Sequence, residues 1–162
     1  MRGVEQQDIR ELTVGEIMHA DWPTLGPKST VEEAIKLFAE ARISGAPVTS
    51  EGRLLGIITE GDLIFQDAEV RAPGFLDILG GLVPLGNTEE YRREALKSAG
   101  VTVDEVMTED VTTVAPEATL AETATLMAQR RRKILPVIED DRLVGVITRM
   151  DILTLHVLNP RL

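Results

Sequence analysis

The chain has no cysteine. Disulfides, thiolate nucleophiles and Cys-ligated metals are thereby excluded, and an intracellular, cytoplasmic setting is expected. Aromatic residues make up only 3% of it, with a single Trp, so any core has to be aliphatic. Positive charge is outweighed. Seventeen Lys and Arg face 27 Asp and Glu, for a net charge of -10, which argues against nucleic acid or an anionic membrane surface as partner. No apolar run approaches the roughly 18 residues of a membrane span, and residues 1–7 lack the apolar core of a signal peptide. Also missing are a P-loop, a nucleophile elbow, an H-E-x-x-H motif and a G-x-G-x-x-G motif. His19 and His156 stand alone, without a carboxylate motif beside them, so neither catalysis nor a metal site is expected. What remains is 162 residues, 43% hydrophobic and 27% charged, enough for one domain or two small ones.

The strongest positive signal is an internal repeat. Gly56-Ile57-Ile58-Thr59-Glu60-Gly61-Asp62 returns 89 residues later as Gly145-Val146-Ile147-Thr148-Arg149-Met150-Asp151. The same offset holds without a gap from Thr13 and Thr102 to Ile64 and Leu153. About twenty of the roughly fifty aligned positions are identical, the mark of a supersecondary unit that buries its open face against a second copy. The division that follows is an arm over 1–12, copy one over 13–65, an insert over 66–101, copy two over 102–158 and a tail over 159–162.

Each copy reads as β-α-β-β-α, an α/β (α+β) unit with a small mixed sheet and helices on one side. A helical turn opens at Thr13 or Thr102. An extended piece follows near Thr24 or Thr113, and Pro27 or Pro116 punctuates the loop. Thr30 with Glu33, and Thr119 with Glu122, have the spacing of capping boxes. Val31, Ala34, Ile35, Phe38 and Ala41 predict one buried helical face, as do Leu120, Ala124, Met127 and Ala128. Two short strands come next, turning at Glu51-Gly52 or Asp140-Asp141. A last helix starts at the Thr-x-x-Asp step, and Asn159-Pro160 stops it in copy two. The insert has no repeat partner. Its apolar, glycine-rich stretch from Gly74 to Gly86 is expected to pack on the body or across a dimer seam, ahead of a short polar helix capped by Asn87-Thr88-Glu89-Glu90.

The two copies resemble paired CBS domains (cystathionine-β-synthase domains), the tandem called a Bateman module. The residues that carry the resemblance are Thr13 to Met18 and Thr102 to Met107, each followed by a Pro and a Thr; Ser44-Gly45-Ala46-Pro47-Val48 and Lys133-Ile134-Leu135-Pro136-Val137; and the Gly-x-x-Thr-x-x-Asp step. The resemblance implies two units packed with pseudo-twofold symmetry through their sheets, leaving two clefts. It implies adenosyl ligands in those clefts, such as AMP, ADP, ATP or S-adenosylmethionine, and no resident cofactor. It also implies a homodimer and the regulation of a protein in trans, with no activity as an enzyme.

The chemistry fits such a ligand. A helix N-terminus offers free N–H groups to phosphate. Thr59 and Thr148 add hydroxyls, and Asp62 and Asp151 can accept ribose hydroxyls. Ile43, Ser44, Ala46 and Pro47, with Arg132, Lys133, Leu135 and Pro136, would line the base, and each proline would leave the preceding carbonyl free to read an adenine amino group. Thr30 and Thr119 are placed near the ligand by the resemblance. The competing reading of Thr-x-x-Asp is a helix cap alone; Asp, shorter than the Glu of the other four boxes, tilts it toward a ligand. Arg130 to Lys133 give copy two a basic run, and Arg149 stands where copy one has Glu60. Phosphates are therefore expected at the second site, with Lys133 and Arg149 facing them, and a nucleoside or nothing at the first. Arg132, where Ile43 stands in copy one, departs from the aliphatic residue of the family pattern. Trp22 is expected as wall or core near the first cleft. The alternative, from a different class, is a structural dimerisation scaffold with vestigial clefts.

Overall fold

A computed structural model describes residues 11–63 and 100–158. Most of the arm, nearly all of the insert and the tail lie outside the described residues, and so do the expectations for the stretch from Gly74 to Gly86 and the helix after it. The described elements are α1 (Val14–Ile17), α2 (Val31–Ala41), β1 (Gly45–Ser50), β2 (Arg53–Thr59), α3 (Val103–Val106), α4 (Leu120–Arg130), β3 (Ile134–Glu139), β4 (Arg142–Thr148) and α5 (Arg149–Leu158). Residues 60–63 begin a helix directly after β2.

The chain divides into two compact units, and their composition crosses the repeat. The first unit takes Pro23–Val111, and the second joins Met1–Trp22 to Thr112–Leu162. Each unit thus combines the body of one copy with the opening segment of the other.

Both units are built alike. In the first, β1 and β2 pair antiparallel, with Ser50 opposite Arg53. Leu25 bridges β1 in parallel, and Thr108 bridges the far edge of β2 antiparallel. In the second, β3 and β4 pair with Glu139 opposite Arg142, Val114 bridges β3 in parallel, and His19 bridges β4. Small mixed sheets result. The two-residue turns require positive φ at both positions, since only that twist matches the strands. Glu51 and Gly52 have φ of 52° and 79°, and Asp140 and Asp141 have 48° and 62°. The register shifts just before each turn, between Val48 and Thr49 and between Val137 and Ile138.

The helices start as the sequence predicts. Glu33 Oε2 accepts from the Thr30 N–H (2.8 Å) while the Glu33 N–H donates to Thr30 Oγ1 (3.2 Å). Glu122 and Thr119 repeat both bonds at 2.9 and 3.2 Å. α2 and α4 end on residues in the left-handed region, Arg42 and Arg131, where glycine is the usual choice.

The buried faces differ from expectation at their margins. Val31, Ala34 and Phe38 are buried, whereas Ile35 and Ala41 are exposed. In α4 the buried residues are Leu120, Thr123 and Met127, with Ala128 exposed. The fully buried line is narrower than the apolar pattern, and Leu37 beside it in α2, with Ala124 and Leu126 beside it in α4, is only partly buried. Thr123 fits that line despite its hydroxyl, which donates to the Thr119 carbonyl at 2.8 Å and so is satisfied inside the helix. The first core gathers Leu25, Ala34, Phe38, Ala46, Val48, Ile58 and Val103. The second gathers Val14, Val114, Leu120, Met127, Leu135, Val137, Ile147 and Ile152. Val103 and Val14 are the exchanged residues, and each is fully buried.

Candidate functional site

The repeated Gly-x-x-Thr-x-x-Asp step forms a corner in each unit, where the inner strand of the hairpin turns into a helix. Its glycine has a steric cause. A Cβ on Gly56 would lie 2.6 Å from Met107 Sδ and 2.9 Å from the Thr108 carbonyl oxygen. On Gly145 it would lie 2.7 Å from Met18 Sδ and 3.0 Å from the His19 carbonyl oxygen. The exchanged segment crosses the strand at the glycine, and backbone bonds fix the crossing. In the first unit Ile57 N–H donates to Thr108 O (3.0 Å) and Thr108 N–H to Ile57 O (2.9 Å). In the second, His19 N–H donates to Val146 O (2.9 Å) and Val146 N–H to His19 O (3.0 Å). Met18 and Met107 are thus the plugs over the two glycines.

The threonine and aspartate close the corner. Asp62 Oδ2 accepts from the Thr59 N–H (2.8 Å) and the Thr59 hydroxyl (3.0 Å). Asp151 Oδ2 accepts from the Thr148 N–H (2.7 Å) and hydroxyl (2.8 Å), and the Asp151 N–H donates back to Thr148 Oγ1 at 3.2 Å. The contrast between Glu and Asp drawn from the sequence does not separate the two roles. A strand entering a helix this tightly brings the Thr close enough for the shorter acid to complete the box.

The other carboxylate oxygen faces the exchanged segment. Asp62 Oδ1 accepts from the Thr108 hydroxyl at 2.8 Å. Asp151 Oδ1 lies 2.9 Å from His19 Nε2; an ionised carboxylate only accepts, so Nε2 donates. The His19 side chain is 43% exposed and that of Asp151 21%, so this contact lies at the surface of the corner. The Trp22 ring stands 5.3 Å from the His19 ring. Trp22 therefore belongs beside the second corner, in place of the first, because its segment is exchanged. Sequence reading missed His19 and Thr108. The offset of 89 aligned them with each other, but nothing in it showed that each serves the other copy's aspartate.

The residues expected to line a base divide by burial. Ala46, Pro47, Leu135 and Pro136 are buried, and Ala46 and Leu135 sit in the two cores. Ile43 is half-buried against the first core, while Ser44, Arg132 and Lys133 are exposed. The Glu60 N–H donates to the Ser44 carbonyl (3.0 Å), and the Arg149 N–H to the Lys133 carbonyl (2.8 Å). Ser44, Lys133 and Arg132 are thereby tied to the corners, the last through Arg149 Nη2, which donates to the Arg132 carbonyl at 3.0 Å. The idea of free carbonyls before the prolines is corrected. Ile57 spends its backbone groups on Thr108, so ladder alternation pairs Ala46 with Ile58, and by the same pattern Leu135 with Ile147. Thr30 and Thr119 are engaged as helix caps and bridge Thr102 and Thr13. None of the described hydrogen bonds joins them to the corners.

A fold of two such corners, each closed by the other copy's opening segment, has relatives. The CBS domain family model matches residues 14–69 and 103–157. The chain belongs to the CBS-domain family. A CBS-pair relative, the uncharacterised protein MJ1426 of Methanocaldococcus jannaschii, is 33% identical over 75% of this chain and 77% of its own. CBSX1, a chloroplastic CBS-domain protein of Arabidopsis thaliana, is 31% identical over 85% of this chain and 61% of its own. The solved structure of MJ1225 from Methanocaldococcus jannaschii superposes with a TM-score of 0.72 at 25% identity, covering 90% of this chain and 48% of that one. CBSX2 of Arabidopsis thaliana, solved in complex with AMP, superposes with a TM-score of 0.68 at 24% identity, over 92% of this chain and 98% of that one. The match spans between 21% and 82% of the length of eight curated relatives. The lower bound is the inosine-5′-monophosphate dehydrogenase of Korarchaeum cryptofilum, where the match covers only that part of a larger enzyme. Among the described residues, no helix is long and apolar enough to cross a membrane.

Proposed function

We propose that this CBS pair senses an adenine nucleotide, or a related adenosyl ligand, at its two corners and signals occupancy to a partner protein, without catalysing a reaction. The observation that carries this reading is the pair of fixed carboxylates. One oxygen of each is spent on the corner itself, and the other takes a single donor from the exchanged segment, where a ribose hydroxyl could join it. A carboxylate offers about four acceptor positions. Three are filled at each corner, which leaves room for a sugar hydroxyl. The AMP complex of CBSX2 supports the choice of ligand.

The corners are not equivalent. Lys133 and Arg149 flank the second, and neither has a basic counterpart in Ser44 and Glu60. Phosphates are therefore assigned to the second corner, with Lys133, Arg149 and the N-terminus of α5 as the cationic lining. A nucleoside, or nothing, is assigned to the first. Thr59 and Thr148 stay in the proposed set as the groups that hold the two carboxylates, their hydroxyls donating to Asp62 and Asp151, and Ile43, Ser44, Ala46 and Pro47, or Arg132, Leu135 and Pro136, wall the base largely through backbone. Thr30 and Thr119 stay within the proposed set on the resemblance alone.

The pair is further assigned as a cytoplasmic homodimer, with α5 in the seam. Met150, Leu153 and Val157 repeat at spacings of three and four on that helix and are 64%, 47% and 76% exposed. The same stripe favours the second reading, a dimerisation scaffold whose aspartates only cap helices. Calorimetry with AMP, ADP, ATP and S-adenosylmethionine separates the two. Saturable binding of at least one ligand supports the sensor. A dimer that binds none of the four at millimolar concentration leaves the scaffold.

A further inference from the structure

The two aspartates differ in the group that fills Oδ1, and this difference has a chemical consequence. At the first corner the donor is a hydroxyl, that of Thr108. A hydroxyl can turn its hydrogen and accept through the same oxygen. A ribose diol arriving there can thus be shared between Asp62 and Thr108 without moving either side chain. At the second corner the donor is His19 Nε2. While that nitrogen carries its proton to Asp151 it cannot accept, in the neutral or the charged ring. Asp151 Oδ2 already takes two donors from Thr148. One acceptor position is left, enough for one hydroxyl of a diol.

His19 starts from a fixed backbone position. Its backbone is pinned to Val146 by two hydrogen bonds, and its ring has Trp22 beside it. The sequence places the difference in two aligned pairs. His19 and Trp22 stand where the other copy has Thr108 and Val111.

We infer that His19 is a specificity-determining residue of the second corner: it reduces recognition of the ribose to a single hydroxyl, so that this corner tolerates deoxyribose ligands that the first corner rejects. This rests on the assignment of the aspartates to ribose.

Trp22 is the one tryptophan of the chain, so its fluorescence reports on the second corner. The experiment titrates the full chain with AMP and with 2′-deoxy-AMP, as wild type and as His19→Thr. The wild type should bind the two within about threefold, and H19T should prefer AMP by roughly tenfold, the worth of one hydrogen bond to a charged group. Circular dichroism checks that H19T is folded. Should it not fold, the reciprocal Thr108→His variant decides by calorimetry with adenosine and 2′-deoxyadenosine, where the first corner's preference for adenosine should shrink about tenfold. A wild-type second corner that already prefers AMP tenfold, or a preference unchanged by H19T, overturns the inference while leaving the sensor intact. If neither nucleotide binds wild type or variants at either corner, the sensor falls, and the inference with it.

Discussion

Asp151 serves two ends with one side chain, and the two can be pulled apart by mutation. Asp151→Ala removes the acceptor for a ligand and the partner of the Thr148 cap. We expect AMP binding at the second corner to be lost, at a cost of about 1 kcal/mol in stability, the worth of a cap. Calorimetry and thermal melting measure the two effects separately. A lower melting temperature with unchanged affinity would assign the residue to capping alone. Gly145 makes a different demand. Its missing Cβ gives the exchanged segment its path, so Gly145→Ala forces Met18 and the His19 carbonyl to give way, costing about 1–3 kcal/mol by overpacking, seen as a lower melting temperature. The acids of the boxes set the response to pH. Hydrogen bonds from the Thr13, Thr102 and Thr119 backbone and hydroxyl groups hold Glu16, Glu105 and Glu122 below the ordinary glutamate range. A carboxylate depressed in the folded state stabilises above its unfolded pKa and loses that stabilisation as pH falls through the folded value. The melting temperature should therefore drop on acidification below about pH 4, and Glu122→Gln should flatten part of that slope.

Among the elements, the hairpins and capped helices were the most legible. Thr30 with Glu33 announced α2 because the box is a local device, readable over four residues. Glu51-Gly52 announced a turn for the same reason. Gly52, at φ 79°, makes the prediction specific: Gly52→Ala should destabilise the first unit by about 1 kcal/mol, the strain of a left-handed Cβ, as read by chemical denaturation. Arg42 and Arg131 gave no signal at all. Both occupy the left-handed cap where a glycine would have marked the helix end. The buried stripe was misjudged at Ile35 and Thr123 because periodicity reports the face of a helix, not how widely its neighbours cover it. The strand-to-helix corners were located by the repeat, but periodicity says nothing of which side chains meet there.

At the scale of the molecule, the repeat fixed the architecture and concealed the partition. A period of 89 identifies two equal copies, yet each compact unit takes its opening segment from the other copy. Such pairing of remote segments is invisible to local pattern, and so His19 was read as an isolated residue. It has a measurable consequence. A chain lacking residues 1–18 loses Leu12, Val14, Ile17 and Met18 from the second core. Hydrogen exchange should then lose its slow protection in β3 and β4 while β1 and β2 keep theirs; equal loss in both hairpins would show that the units do not fold as partitioned.

The most direct measurement is a crystal structure of the full chain grown with millimolar AMP. The account predicts a ribose hydroxyl within hydrogen-bond distance of the Asp151 carboxylate, with the phosphate toward Lys133 and Arg149. Asp62 and Asp151 bonded only to Thr59, Thr108, Thr148 and His19, with no nucleotide beside either, would contradict it.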